Sequence, residues 1–209
     1  MPDISSMIAF GFVALGMVLT PGPNMVYLIS RSLCQGRTAG LISLSGVALG
    51  FVFYMFCAAF GITALIITIP YAYDALRIGG AAYLLYLAWQ AIKPGGHSPF
   101  QVRELEKDGP YKLFMMGFIT NLLNPKIAIM YLSLLPQFIN AEHGSVLTQS
   151  LALGFIQIVI SVAVNAVIAV SAGTIAIFLT GRPFWMVMQR WLMGTVLAGL
   201  ALKMALDKR

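Results

Sequence analysis

Residues 38–73 read TAGLISLSGVALGFVFYMFCAAFGITALIITIPYAY, and none of them is Asp, Glu, Lys or Arg. A transmembrane helix needs about 20 consecutive apolar residues, and this run exceeds that length. Two further runs free of those four residue types extend from Ile4 to Ser30 and from His143 to Gly181. Shorter apolar spans follow Asp74, Leu113 and Pro183. Only 10% of the 209 residues are charged and 59% are hydrophobic, against about 25% and about 45–50% in a soluble domain. A water-soluble fold of this size needs more polar surface than these charges supply. The sequence therefore predicts an all-α membrane protein.

Six spans are expected, over residues 4–30, 41–69, 75–92, 113–139, 147–178 and 184–205. The chain, 1–209, reads as one integral membrane domain: a first repeat over 1–93, a polar linker over 94–112 and a second repeat over 113–209. Pro2 and Asp3 stand where a cleaved signal peptide carries Lys or Arg, so the first span reads as a retained helix. The net charge of +6 resides on residues between spans, which makes it a topology signal and not a nucleic-acid footprint. The first, third and fifth loops hold eight Lys and Arg (Arg31, Arg37, Lys93, Arg103, Lys107, Lys112, Arg182 and Arg190) against four on the other side. Positive charge marks the cytoplasm, so the linker is expected there and both termini in the periplasm. The membrane is then the bacterial inner membrane.

Shifting the sequence by 104 residues pairs Phe10 with Phe114, Pro21 with Pro125, Tyr27-Leu28 with Tyr131-Leu132 and Gly50-Phe51 with Gly154-Phe155. Three spans per half would insert the second half upside down, giving two inverted three-helix repeats, a common transporter plan.

Both paired prolines interrupt apolar spans. Thr20-Pro21-Gly22-Pro23-Asn24 breaks the backbone hydrogen-bond ladder of span one. The freed N–H and C=O groups must face protein or a watery cavity, because lipid cannot satisfy them. Pro23 can open a second half-helix, whose first N–H groups near Asn24 attract an anion. The second interruption is Asn121 with Asn124-Pro125-Lys126. Lys126 lies about 20 Å along the helix from Leu113 and about 15 Å from Pro136, too deep for its stem to reach water. Burying it costs on the order of 2.5–3.5 kcal/mol on insertion scales, so freed carbonyls, a wet cavity or a bound anion must offset that. The same residues also fit a structural role, a plain kink and a lysine locked to carbonyls.

Gln157, Ser161 and Asn165 lie at four-residue spacing on span five, as a cavity wall or as interhelical hydrogen bonding. Gly46 and Gly50 form the Gly-x-x-x-Gly pattern of close helix packing, which permits a homodimer without requiring one. Cys34 and Cys57 form no CxxC pair, and His97, Glu142 and His143 have no metal-ligand spacing. No Walker A motif, nucleotide loop or catalytic triad is present, so neither a cofactor nor an enzymatic activity is expected.

Thr20-Pro21-Gly22-Pro23-Asn24 in span one, Asn124-Pro125-Lys126 in span four and Gly80-Ala81-Ala82-Tyr83-Leu84 in span three resemble the LysE/RhtB family of amino-acid exporters. The resemblance covers nearly the whole chain. It implies gradient-driven efflux of amino acids or related zwitterions. The family's substrates include threonine, homoserine, leucine, lysine, arginine and cysteine derivatives. The expected substrate path is Thr20, Pro21, Gly22, Pro23, Asn24, Asn121, Asn124, Pro125, Lys126, Gln157 and Asn165. The Pro23 half-helix and Lys126 take the substrate carboxylate, and the asparagines and freed carbonyls take its amino group. No Asp or Glu falls at mid-span, so Lys126 leads as carrier of any coupling proton and neutral substrates are favoured over basic ones. The alternatives are export of metal or other toxic cations by the same scaffold, which lacks the ligands such ions prefer, and a membrane thiol-redox carrier. Against the latter, Cys34 and Cys57 do not occupy corresponding repeat positions.

Overall fold

The computed structural model describes residues 2–20, 22–68 and 107–180, with short pieces between 78 and 93 and between 187 and 202. Pro21 lies outside the described residues, as do most of the expected spans 75–92 and 184–205 and the linker up to residue 106. The described elements are α1 (Ile4–Leu19), α2 (Pro23–Gln35), α3 (Arg37–Thr68), α4 (Pro110–Leu122), α5 (Pro125–Ile129) and α6 (Val146–Thr180). Between α5 and α6 run a π turn (Met130–Leu134) and two 3-10 turns (Leu135–Phe138 and Ala141–His143). All described elements are helical.

Local chemistry explains where the helices start and stop. The Asp3 carboxylate caps α1, accepting the Ser6 N–H at 2.6 Å. Thr20 leaves the helix for extended backbone (φ −71°, ψ 127°), the conformation demanded of a residue that precedes proline. Pro23 opens α2 at a position where its missing N–H removes nothing from the helix. Gly36, at φ 87°, turns the chain from α2 into α3, a conformation that favours glycine. Asn124 ends one helix and starts the next: it is extended before Pro125, and its side-chain oxygen accepts the Lys126 N–H at 3.1 Å. Pro136 cannot donate to the ladder, and the π and 3-10 turns around it absorb the loss.

Two breaks organise the molecule. α1 and α2 meet at 54°, and α4 meets the segment from Lys126 to Phe138 at 53°. Each bent pair is followed by a long helix, α3 or α6, whose apolar parts Arg37–Gly61 and Val146–Ala172 have mean hydropathies of 2.1 and 2.4. By length and composition these two long helices each suffice to cross a membrane, and each bent pair makes one further candidate span. α4 packs on α3, and α1 packs on α6.

The distribution of polarity is that of a protein in lipid. Phe12, Phe60, Phe155 and Val167 stand 63–70% exposed, while Asn24, Asn121, Asn124, Lys126, Gln157, Ser161 and Asn165 are buried. In water so apolar an exterior would aggregate. In hydrocarbon it is solvated, and the polar groups retreat inward.

Arg31 was expected in the first loop but lies inside α2, because that helix runs on to Gln35. The guanidinium need not reach for water: its Nη1 donates to the Asp108 carboxylate at 2.5 Å and it lies 5.6 Å from the Tyr27 ring centre. The Asp108 N–H donates to Gln35 Oε1 at 3.1 Å. The Tyr27 hydroxyl donates to the Leu113 carbonyl at 2.8 Å and accepts from Ser43 at 3.2 Å. These bonds clamp the end of α2, the start of α3 and the start of α4 together, so the first and third loops share one face.

The clamp titrates. A hydrogen bond from Lys112 does most to hold the Asp108 carboxyl below its ordinary range; partial burial pushes back, and the charge of Arg31 lowers it further. A carboxylate whose folded pKa lies below its unfolded one stabilises the fold at full strength above the unfolded value and loses that contribution as pH falls through the folded one. Asp108→Asn should therefore melt below the native protein by a constant margin from pH 7 to pH 5. The margin should narrow only below about pH 4. Thermal melts in detergent across that range measure it.

Candidate site at the crossing of the broken helices

Where the two breaks meet, the chain leaves a small cavity of about 20 Å³. Its apolar wall includes Ala14, Met17, Val18, Phe51, Ile127 and Met130. Its polar wall is Asn24, Asn124, Lys126, Gln157, Ser161 and Asn165. The volume suffices for about one water, so nothing larger fits between these walls as they stand.

Lys126 dominates the site. It is 6% exposed, and its ammonium donates to the carbonyl of Thr20 at 2.6 Å and to that of Met17 at 2.9 Å. Both acceptors belong to the last turn of α1, the negative end of a helix dipole. The stem runs along Gly22: a β-carbon there would stand 3.1 Å from Nζ and 3.3 Å from Cε. Gly22 and Lys126, which meet here, are also paired by the 104-residue shift.

Around the lysine, four amides differ in how they are engaged. Gln157 accepts from the Tyr131 hydroxyl at 2.5 Å and donates to Ser161 at 2.9 Å. Asn165 donates to the Ser161 carbonyl at 2.8 Å. Asn24 has both side-chain polar atoms buried without a protein partner, and Asn124 has its Nδ2 in that state. Buried amides with unmet capacity carry a penalty of about 1–3 kcal/mol each, which a polar solute in the cavity would relieve. Asn24 sits in the first turn of α2, whose leading N–H groups have no side-chain cap.

Of the residues expected on the path, the cavity gathers Asn24, Asn124, Lys126, Gln157 and Asn165. Thr20 contributes its carbonyl and Gly22 the room for the lysine stem. Pro23 and Pro125 open α2 and α5, and Pro21 lies outside the described residues. Asn121 is not among the cavity-lining residues. It is fully buried between α4 and α3, where a β-carbon on Gly50 would come within 2.7 Å of its Oδ1. Met17 was not anticipated as a contact, because its part in the site is a main-chain oxygen that any residue could supply. Tyr131 was also missed, although the 104-residue shift pairs it with Tyr27. Among the described residues no group of three His, Cys, Asp or Glu is placed to hold a metal.

The sequence of the chain has counterparts among known proteins. The family model for LysE type translocators matches residues 15–208. The chain belongs to that family. Relatives of this chain include the uncharacterized membrane protein YahN of Escherichia coli, 34% identical over 58% of this chain and 55% of that protein. The uncharacterized membrane protein YrhP of Bacillus subtilis is 29% identical over 75% of this chain and 78% of its own length. The leucine efflux protein of Salmonella typhimurium is 34% identical over 64% of both chains. The matches thus span a little over half of YahN and just under two thirds of the leucine efflux protein. No solved structure matches the chain. Family membership and the apolar exterior together make it an integral membrane protein of a translocator family.

Proposed function

We propose that the protein exports neutral amino acids across the cytoplasmic membrane, leucine-like ones foremost. One observation carries the reading: a small cavity where two broken helices cross, walled by amides and one lysine, with no carboxylate lining it among the described residues. A zwitterion needs donors for its carboxylate and acceptors for its amino group. Lys126 uses two of its three N–H donors on carbonyls among the described residues, leaving one for the cavity. The uncapped start of α2 and the Asn24 amide add donors for the same carboxylate. Asn24 Oδ1 then accepts from the amino group, and the wall of Met17, Val18, Phe51, Ile127 and Met130 receives an apolar side chain. Among the described lining residues a basic side chain would meet no counter-charge, only the lysine. The likeness to a leucine efflux protein accords with this choice.

In this proposal the chain forms six spans in two inverted repeats, with the Arg31–Asp108 face in the cytoplasm and both termini opposite. The shared 104-residue shift, the nearly equal bends and the contact of Gly22 with Lys126 support that plan. Rocking one repeat against the other would open the cavity to each side in turn, driven by the proton gradient or the membrane potential. Leucine and arginine export from preloaded cells tests the reading. The native protein should lower intracellular leucine and spare arginine. Lys126→Met, present in the membrane at native level, should slow leucine export about tenfold or more. Preferred arginine export, or an unchanged rate in the variant, would overturn it.

A further inference from the structure

The Lys126 ammonium occupies a position with the chemistry of an ion site. Two carbonyl oxygens from one helix end converge on Nζ, at 2.6 Å and 2.9 Å. The C-terminal ends of broken helices and their freed carbonyls are what transporters use to coordinate a coupling cation, and rings of carbonyls replace the hydration shell of a monovalent ion in channels. Here no separate ion is needed, because the opposite repeat delivers a cation on a four-carbon stem. Nor, among the described residues, does a carboxylate supply the counter-charge. The described acidic residues are Asp3, Asp108 and Glu142, all outside the long apolar helices, and none lines the cavity. Against the lysine from each packed element stand carbonyls of α1, the Gly22 backbone, Asn24 of α2, Asn124 at the second break, and Gln157 and Asn165 of α6.

We infer that the end of α1, through the Met17 and Thr20 carbonyls, forms a monovalent-cation site that Lys126 fills as a tethered ion. Two consequences follow. The native protein has no use for free sodium or potassium at this position. Removing the stem vacates a slot continuous with the cavity, and a free cation the size of ammonium can then settle on the same two oxygens. The inference goes beyond the proposed export function and does not depend on which solute is moved.

Purified native protein, Lys126→Ala and Lys126→Met are melted in chloride salts of choline, ammonium, methylammonium, potassium and sodium at equal ionic strength. Native protein should melt at one temperature in all five. Lys126→Ala should melt lowest in choline and rise by about 3–6 °C, saturably, once ammonium reaches about ten times its Kd. Lys126→Met, whose uncharged stem still fills the slot, should show no salt response. Should the alanine variant not fold, Lys126→Ser serves the same comparison. A small-residue variant that folds and ignores every cation would overturn the site, as would a native protein that responds as strongly. Amino-acid export is then measured in proteoliposomes. Failure of the native protein to move any amino acid would sink the export reading and leave the melting result standing. Recovery of export in Lys126→Ala by ammonium, and not by choline, would join the two.

Discussion

Gly46→Ala is expected to cost at least about 3 kcal/mol of stability, enough to deplete folded protein in the membrane. A β-carbon at Gly46 would collide with the Phe114 carbonyl oxygen, and would stand 2.9 Å from both the Phe114 carbonyl carbon and the Phe118 nitrogen. Those are backbone atoms of α4 and cannot swing aside as a side chain can. The facing glycine makes the same demand in reverse: a β-carbon at Gly117 would strike the Ser43 carbonyl of α3. The two helices therefore touch main chain to main chain, and one methyl group must drive them apart along a shared face. That face includes Asn121, which is fully buried against Gly50 and would lose its packing as the helices separate. Melting curves in detergent provide the measurement, with Gly61→Ala as the control, since a β-carbon at Gly61 meets nothing within 4 Å. A Gly46→Ala protein that melts with the control would refute the close approach.

Gly22→Val should do the opposite, leaving the fold nearly intact while slowing export on the order of a hundredfold, the scale on which misplacement by about 1 Å acts in a working site. Gly22 has extended backbone at φ −160°, which any residue adopts without strain. What its missing side chain protects is the path of Lys126, whose Nζ, Cε and Cδ all lie within 3.6 Å of a β-carbon placed there. The methyl groups of valine would push the ammonium off the Met17 and Thr20 carbonyls. Because a lysine stem is flexible, the displacement is cheap for the fold and expensive for the geometry. Gly22→Ala should show a smaller loss in the same direction. Initial export rates from vesicles, read beside melting temperatures, separate the two effects. Native rates in Gly22→Val would show that the lysine's seat at the break is not needed for transport.

Much of the architecture is legible residue by residue. Charge-free runs announce helices that live in lipid, since no soluble fold can spare so many positions. Thr20-Pro21-Gly22-Pro23-Asn24 and Asn124-Pro125-Lys126 announce two breaks, because proline withholds its N–H wherever it stands. The depth of Lys126 follows from counting 1.5 Å per residue to each end of its span. The end of span one is less legible. Nothing in Ser30-Arg31 signals that the helix continues, and it does so because Asp108, far away in sequence, pairs with Arg31.

The sequence by itself determined that the protein lives in a membrane, that two of its helices are broken, and that a cation lies between the breaks. Those properties depend on hydrophobicity, proline and length, which act locally. Only the tertiary structure decided what that cation touches. Every residue carries a carbonyl, so composition cannot single out those of Met17 and Thr20; the crossing of the two breaks does. The same holds for the asparagines. Asn24 and Asn121 are alike in the sequence, yet helix packing turns one into the cavity and seals the other against Gly50.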